Sequence, residues 1–204
     1  MAISKMTIRL EGVEFLEKIL AGERDFVGIE LPKGLLLASF FDAFREVRNY
    51  LENNLEDLRD NPIDLSESKI EYVRAKGLYL PYVKAENVCF KGSRFIRSDW
   101  FAAFLENASF EDCFLRGSDF TYAHLQGAEF KGAKLGEINF ENADLRGARN
   151  LDLTKRLGSS NFSNTTISTA SVDALRKRIR GKVNKPYIII DPQYKRAEAE
   201  ECHS

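Results

Sequence analysis

Residues that could act in catalysis or bind a metal are few in this chain of 204 residues. It contains three cysteines, Cys89, Cys113 and Cys202, and two histidines, His124 and His203. Their spacing matches neither a zinc site nor the disulfide framework of a secreted protein. No pattern places a nucleophile, a base and an orienting group together, and no phosphate-binding or metal-binding motif occurs. We therefore expect a non-enzymatic protein without a cofactor or metal.

Cationic and aromatic side chains offer a different chemistry, because arginine and aromatic residues anchor protein interfaces. The candidate interaction residues are Arg74, Lys76, Arg94, Arg97, Arg116, Lys134, Tyr79, Tyr82, Phe101, Phe104 and Tyr122. The formal net charge is only −1, which favours neither a general nucleic-acid binder nor an acidic mimic of DNA. Whether these side chains share a surface depends on the elements that carry them.

A repeat of five residues runs through 63–150. In 18 consecutive units the first and third residues are apolar or small and the second is mostly polar, and all seventeen third residues from Leu65 to Leu145 are apolar. The fourth and fifth residues both point outward, which indicates a corner, and the glycines common at the fifth position tolerate the positive φ of a turn. A corner every five residues winds the chain into a coil with the third residues stacked inside.

This pattern resembles the pentapeptide-repeat family, whose consensus is Ala-(Asp/Asn)-Leu-X-X. Unit 143–147 (Ala-Asp-Leu-Arg-Gly) matches directly, unit 128–132 (Ala-Glu-Phe-Lys-Gly) is close, and the resemblance covers 86 of 204 residues. It implies a mainly β fold, a right-handed quadrilateral β-helix with four units per coil. Some members of the family resemble DNA and bind DNA gyrase.

Inside the coil, two small third residues call for compensation, because protein cores are close-packed. Val73 and Val83 each stand two positions before Ala75 and Ala85, and we expect them to restore the lost volume. Cys113 stands where other units have alanine and is expected to be a small buried residue.

The N-terminal segments predict a cap and a first coil. Residues 1–22 form the helical N-terminal cap, with Gly22 at its end. The apolar face of this helix consists of Val13, Leu16, Ile19 and Leu20. Residues 23–41 predict a degenerate first coil, in which Leu36 and Phe41 are the last two inward residues.

Residues 42–62 interrupt the repeat and predict one inserted amphipathic helix, with Asp42 as its N-cap and Pro62 just beyond its end. Its apolar stripe consists of Phe44, Val47, Leu51, Leu55 and Leu58. The stripe must pack either on a face of the solenoid or against another copy of the chain.

After Asn150 the repeat loses its frame. Residues 151–172 predict a loop, at about 151–159, and a last partial coil. Residues 173–204 predict a short C-terminal helix through Arg180, capped by Ser171 or Asp173, then a short strand over 185–190 and a charged tail. The cations in 176–185 fit the last turn of that helix.

With four units per coil, outward residues sort into faces at a period of twenty. The basic face, with a net charge of +5, carries Arg74, Lys76, Arg94, Arg97, Arg116, Lys134 and Glu137, with Ile96 and Phe114 among them. The aromatic face, at −3, carries Tyr79, Tyr82, Phe101, Tyr122, Asp99, Asp119 and Glu141. The acidic face, also −3, carries Asp64, Glu67, Lys84, Glu86, Glu106, Asp144 and Arg146, and the remaining face is the neutral face.

These faces favour a non-catalytic rigid scaffold or protein-interaction module that binds through the basic or the aromatic face. The alternative is regulation of a DNA-handling enzyme such as gyrase by DNA mimicry, and an enzyme is a remote one. The partner is expected to be an unidentified protein, since too few aromatics interleave with the cations for nucleic acid. Phe101 and Phe104 form a patch that leaves homodimerisation open. Residues 1–10 lack a signal region and no long apolar stretch occurs, so we expect a cytoplasmic protein without a membrane partner.

Overall fold

The chain winds into a coil whose turns stack on one another. The computed structural model describes residues 7–151, 159–168 and 189–191. Its backbone bridges are parallel, and through the main repeat they join residues 20 positions apart, such as Asp64 with Lys84 and Arg74 with Arg94. Because each unit has five residues, one turn of the coil holds four units and has four sides. The repeat therefore forms a β-helix, and its right-handed sense stays a prediction.

Helices and regular strands lie mostly outside the main repeat. The elements are β1 (Ile8–Arg9), α1 (Gly12–Leu20), β2 (Ile29–Glu30), a 3-10 turn (Leu37–Ser39), α2 (Phe41–Asn53), α3 (Leu55–Asp60), β3 (Asp144–Leu145), β4 (Thr166–Ser168) and β5 (Ile189–Asp191). Strands β1 and β2 pair in parallel, and β4 lies between β3 and β5, also in parallel. Each side of the main coil contributes a single bridged residue, which explains why a β-helix shows so few strands.

The third residue of each unit packs inside the coil, as the sequence predicts. All seventeen, from Leu65 to Leu145, are at most 4% exposed. Two columns of rings run along the axis, one of Phe90, Phe110 and Phe130 and one of Trp100, Phe120, Phe140 and Phe162. The stacked apolar interior is the main source of stability in such a coil.

The fifth residue of each unit turns the corner. Every fifth residue from Glu67 to Gly147 has a positive φ. At most corners the carbonyl of the third residue accepts the N–H of the next unit's first residue, as Phe90 accepts from Ser93 at 3.0 Å. Gly92 is also needed for space, because a Cβ there would lie 2.5 Å from the Tyr72 ring.

Polar side chains reinforce the corners and the interior. An Asp or Asn at the second position accepts the N–H two residues on, as Asp119 Oδ1 does from Thr121 at 2.9 Å. A buried Ser93 donates its hydroxyl to the Ile70 carbonyl at 2.7 Å and accepts the N–H of Val73 at 3.0 Å. These bonds give the second-position Asp or Asn and the first-position Ser a structural role that the pattern alone did not predict.

Cys113 is fully buried, as predicted, and donates its thiol to the Phe90 carbonyl at 2.9 Å. A small apolar cavity of about 20 Å³ remains beneath α1, and Val73 and Phe95 are among the residues that line it.

Helix α1 differs from its prediction in the residues it buries. Val13 is 37% exposed, whereas Phe15 is buried beside Leu16 and Ile19. The reason is that α1 presents Gly12, Phe15, Leu16 and Ile19 to the core, a stripe rotated from the predicted one. Gly22 follows the C-cap residue Ala21 with a φ of 88°.

The first coil slips by one residue, which the sequence did not predict. Leu36, rather than Leu35, pairs with Arg74, and Leu37 is buried while Leu36 is 47% exposed. The slip arises because six positions, not five, separate the buried Leu31 from Leu37. Phe41, predicted to point inward, is 65% exposed because the chain has by then left the coil and entered α2.

The inserted segment is two helices rather than one. Asn54 separates α2 from α3 and donates its side-chain amide to the Tyr50 carbonyl at 2.6 Å. The N-cap residue of α2 is Phe40, so the predicted N-cap Asp42 lies in the first turn. Val47, Leu51 and Leu58 belong to the core, and α2 contacts α1 of the same chain.

The repeat ends at Asn150, as the sequence predicts. The φ of Asn150 is 57° and its side-chain amide donates to Glu129 Oε1 at 2.7 Å, while Leu151 is buried. Coiling resumes at Asn161, which pairs with Asn139. The predicted strand over 185–190 corresponds to β5 at Ile189–Asp191. Most of the predicted loop and all of the predicted C-terminal helix lie outside the described residues.

We predict that Phe120→Ala lowers the free energy of unfolding by about 3–5 kcal/mol, because it leaves a cavity in a column of stacked rings. Denaturant titration followed by fluorescence measures it well, since Trp100 is the single tryptophan and stacks on Phe120 at 5.9 Å. Lys131→Ala on the surface serves as the control and should change little. An unchanged midpoint for Phe120→Ala would contradict the packing described.

Candidate interaction surfaces

The residues that could act in catalysis are dispersed and structurally occupied. Burial raises the pKa of the Cys113 thiol far above its ordinary value, so the reactive thiolate does not form. The His124 ring stacks on Phe104 at 4.9 Å, and Cys89 is 5% exposed with its thiol donating to Glu71. Within 7–151, 159–168 and 189–191, no cluster of His, Cys, Asp or Glu could hold a metal ion.

The basic face brings its predicted residues together on one side of the coil. Arg74, Arg94, Phe114 and Lys134 are bridged one to the next, one per coil. Lys76 and Arg116 follow two of these positions by two residues, and Arg97 occupies a corner. Arg74, Lys76, Arg94, Arg97 and Arg116 are exposed, and Lys134 is partly exposed. Coils are spaced by ~4.8 Å, so this side is a flat array of cations.

Phe114 lies between two of these cations. The Arg94 guanidinium is 4.3 Å from its ring centre and Lys134 Nζ is 3.7 Å away. Because Arg94 belongs to the preceding coil and Lys134 to the following one, the ring holds one cation from each neighbour. Such cation–π contacts restrict the side chains without neutralising them.

Counter-ions are scarce on this face, in contrast to the neutral face. Arg116 pairs with Glu137, whereas the remaining five cations form no salt bridge within the part of the chain that the structure describes. On the neutral face Glu111 contacts both Lys91 and Lys131, at 3.1 and 3.6 Å. Like charges on neighbouring strands repel, so the unneutralised column costs stability.

The aromatic face is divided by the inserted helices. The first coil has bridges on the three sides other than the aromatic one. At the position of the aromatic side, the chain leaves the coil and forms α2 and α3. The Arg48 guanidinium of α2 lies 5.3 Å from the centre of the Tyr79 ring. Tyr79 is therefore covered within its own chain, which favours a role in packing α2 over a role in binding a partner.

Three other predicted aromatics pack against one another. Tyr82 and Phe101 meet edge to face at 5.6 Å, and Phe101 and Tyr122 at 5.7 Å. Tyr122 is 52% exposed. Phe104 lies apart from them on the acidic face, against His124. The aromatic candidates thus form a self-packed column and two separate residues, not one continuous surface.

Leu36 is a member of the basic face that the sequence did not reveal. Its bridge to Arg74 extends the column by one coil, and its side chain is 47% exposed. The one-residue slip hid it, because the pattern assigned Leu36 to the interior. With Phe114 and Ile96 it makes the face partly apolar.

None of the described helices is long and apolar enough to cross a membrane.

Comparison with models of known protein families identifies the five-residue repeat. The family model described as pentapeptide repeats, eight copies long, matches residues 103–136 and 125–152. No curated protein matches the chain.

Solved structures with similarity to the chain include three proteins. A pentapeptide repeat protein of the Arabidopsis thaliana thylakoid lumen is 26% identical over 51% of this chain and 75% of its own, with a TM-score of 0.39. The protein Rfr23 from the cyanobacterium Cyanothece 51142 is 17% identical over 58% of this chain and 96% of its own, with a TM-score of 0.27. Full-length QnrB1, a plasmid-mediated fluoroquinolone resistance protein, is 12% identical over 76% of this chain and 82% of its own, with a TM-score of 0.30.

We predict that Asp99→Asn stabilises the protein slightly at pH 7. Burial, and then repulsion from Asp119, raise the pKa of Asp99. Asparagine keeps the acceptor that Asp99 Oδ1 offers to the Phe101 N–H, and Asn139 and Asn161 already occupy this column.

The pH dependence of stability tests the direction of the Asp99 pKa shift. A raised pKa in the folded state makes the wild type gain stability as pH falls through that value, so the advantage of the variant should disappear near pH 3. Denaturation at both pH values measures this. Asp144→Asn, which breaks the contact with Arg146, is the control and should destabilise at pH 7. A destabilised Asp99→Asn at pH 7 would contradict the account.

Proposed function

For this chain, a member of the pentapeptide-repeat family, we propose a role as a non-catalytic interaction module that binds a negatively charged protein surface through its basic face. The observation that carries the proposal is the column of exposed cations that have no carboxylate partner among the residues the structure describes. Repulsion between Arg74 and Arg94 opposes folding, and an anionic partner would relieve it. Free thiols such as Cys113 suit the cytoplasm, where we place the protein.

The aromatic face receives less support as the binding surface. Tyr79 is covered by α2, and the column from Tyr82 to Tyr122 packs on itself. Homodimerisation through Phe101 and Phe104 stays a prediction, although the two rings make separate contacts. Helix α2 does not require a second copy to bury its stripe, because Val47 and Leu51 are already buried.

We predict that Arg94→Glu/Arg97→Glu abolishes capture of the partner by the tagged protein. The substitution reverses two charges at the centre of the basic face without disturbing the fold, since both side chains are exposed and Glu137 already occupies the corner position equivalent to Arg97. The measurement is a pull-down from nuclease-treated lysate of the cells that produce the protein, with a thermal melt of each variant.

The matched control is Lys69→Glu/Lys131→Glu, which changes the net charge equally on the neutral face and should retain the partner. A partner held equally by wild type and Arg94→Glu/Arg97→Glu would overturn the proposal. A partner seen only without nuclease would point to nucleic acid instead and would overturn it too.

DNA mimicry is the alternative that the family resemblance raises, and the charges give it little support. Asp99 and Asp119 on the aromatic face are engaged at corners, accepting the N–H groups of Phe101 and Thr121. We predict that a molar excess of the protein leaves DNA supercoiling by gyrase unchanged, with the Lys69→Glu/Lys131→Glu variant assayed beside it. Inhibition by the wild type would favour the mimic over the interaction module.

A further inference from the structure

We infer that the segment bound by the basic face is an acidic amphipathic α-helix lying parallel to the solenoid axis. This inference rests on the proposed function and specifies the partner's chemistry. It follows from what the face offers: side chains in a fixed array, with mixed cationic and apolar character.

The backbone N–H and C=O groups of the basic face already form hydrogen bonds to the neighbouring coils. Arg94 donates its N–H to the Val73 carbonyl at 2.8 Å, and Phe95 donates to the Phe114 carbonyl at 2.9 Å. An extended peptide laid on this face would find no strand edge to pair with, and its own N–H and C=O groups would stay unpaired at the contact. A helix satisfies its backbone internally and presents only side chains, so the face suits a helix better than a strand.

The spacing of the cations also suits a helix. Successive coils are ~4.8 Å apart, and successive turns of an α-helix are ~5.4 Å apart. Over the three steps from Arg74 to Lys134 the mismatch grows to about 2 Å, which flexible lysine and arginine side chains can span. Carboxylates at i and i+4 of a helix would therefore face successive cations.

The apolar members of the face require a partner that is amphipathic. Leu36 is 47% exposed at one end of the column, and Phe114 lies in its middle with cations on either side. Ile96 is partly exposed between Lys76 and Arg116. A helix with leucines beside its glutamates would cover these side chains, whereas a uniformly charged polyanion would leave them in water.

The neighbouring aromatic face confines such a helix to this side. Asp99 and Asp119 lie in consecutive coils there, and the acidic face beyond also carries a net negative charge. A segment rich in glutamate is repelled by both. The same charges oppose a wide polyanion such as duplex DNA, whose second strand would approach the carboxylates of the aromatic face.

Synthetic peptides test the inference directly. The probe is a fluorescent 14-residue helix with Glu and Leu on one side and Ala and Gln on the other. One comparison peptide has the same composition in scrambled order, and a second keeps the order but carries a central proline, which breaks the helix. Fluorescence anisotropy at low and high salt gives the affinities for the full chain.

We expect the helical probe to bind at least tenfold more tightly than either comparison peptide, and more weakly as salt rises. Arg94→Glu/Arg97→Glu should lose this binding and Lys69→Glu/Lys131→Glu should keep it. Phe114→Ser, which removes the ring between Arg94 and Lys134, should weaken binding of the probe severalfold while leaving the cations in place.

Equal binding of all three acidic peptides would overturn the helix inference and leave the basic face as the site of an acidic partner. No binding of any acidic peptide, with binding of duplex DNA or anionic lipid vesicles instead, would overturn both the inference and the proposed function. Binding of the probe that Arg94→Glu/Arg97→Glu does not weaken would overturn the placement on this face.

Discussion

The left-handed fifth residue is the constraint on which the whole structure depends. Each corner from Glu67 to Gly147 needs a positive φ, and most of these positions hold a residue other than glycine. Such a residue costs roughly 1–2 kcal/mol in this region. The stacked interior must offset that cost, and it does so because every corner delivers the next two small or apolar residues into the core. Hydrogen bonds such as Thr121 N–H to Asp119 hold the corner from outside.

The same constraint determines the chemistry of the surface. With one five-residue unit per face in every coil, any two like charges 20 positions apart become neighbours at ~4.8 Å. The chain avoids this on the neutral face, where Glu111 lies between two lysines. The acidic face avoids it only in part: Lys84 contacts Asp64 at 3.2 Å, but Glu86 and Glu106 are like-charged neighbours. On the basic face the chain does not avoid it. Repulsion between neighbouring cations there opposes folding, and the contacts of Arg94 and Lys134 with Phe114 offset part of it.

The sequence predicts the repeat well because one rule, apolar at the third position, is obeyed in every coil and is read directly from spacing. It predicts the ends poorly because several local choices compete there. Leu36 and Leu37 are both apolar, so spacing alone cannot decide which is buried. Likewise Phe41 continues the apolar pattern, yet the path of the chain into α2 exposes it.

The candidate surfaces are likewise predictable from the sequence only in part. The members of the basic face are predictable, since their positions follow from a period of twenty. The side chains that they contact are not predictable, because the contact of Arg94 with Phe114 and that of Arg116 with Glu137 depend on side-chain conformations. The cover over Tyr79 is unpredictable for another reason: it depends on how an inserted helix packs, which its own apolar stripe does not specify.

In the proposed role, stability and binding would therefore be coupled on the basic face. Phe114 already restricts Arg94 and Lys134, so less side-chain entropy is lost when a partner binds. A row of carboxylates would at the same time remove the repulsion that the empty face contains, so that binding stabilises the coil itself. A net charge of −1 gives the whole molecule little long-range attraction for anions, so the proposed recognition would be local and would depend on the pattern of this one face. A rigid β-helix suits that task, because its regular backbone keeps the spacing of the cations fixed whether or not the partner is present.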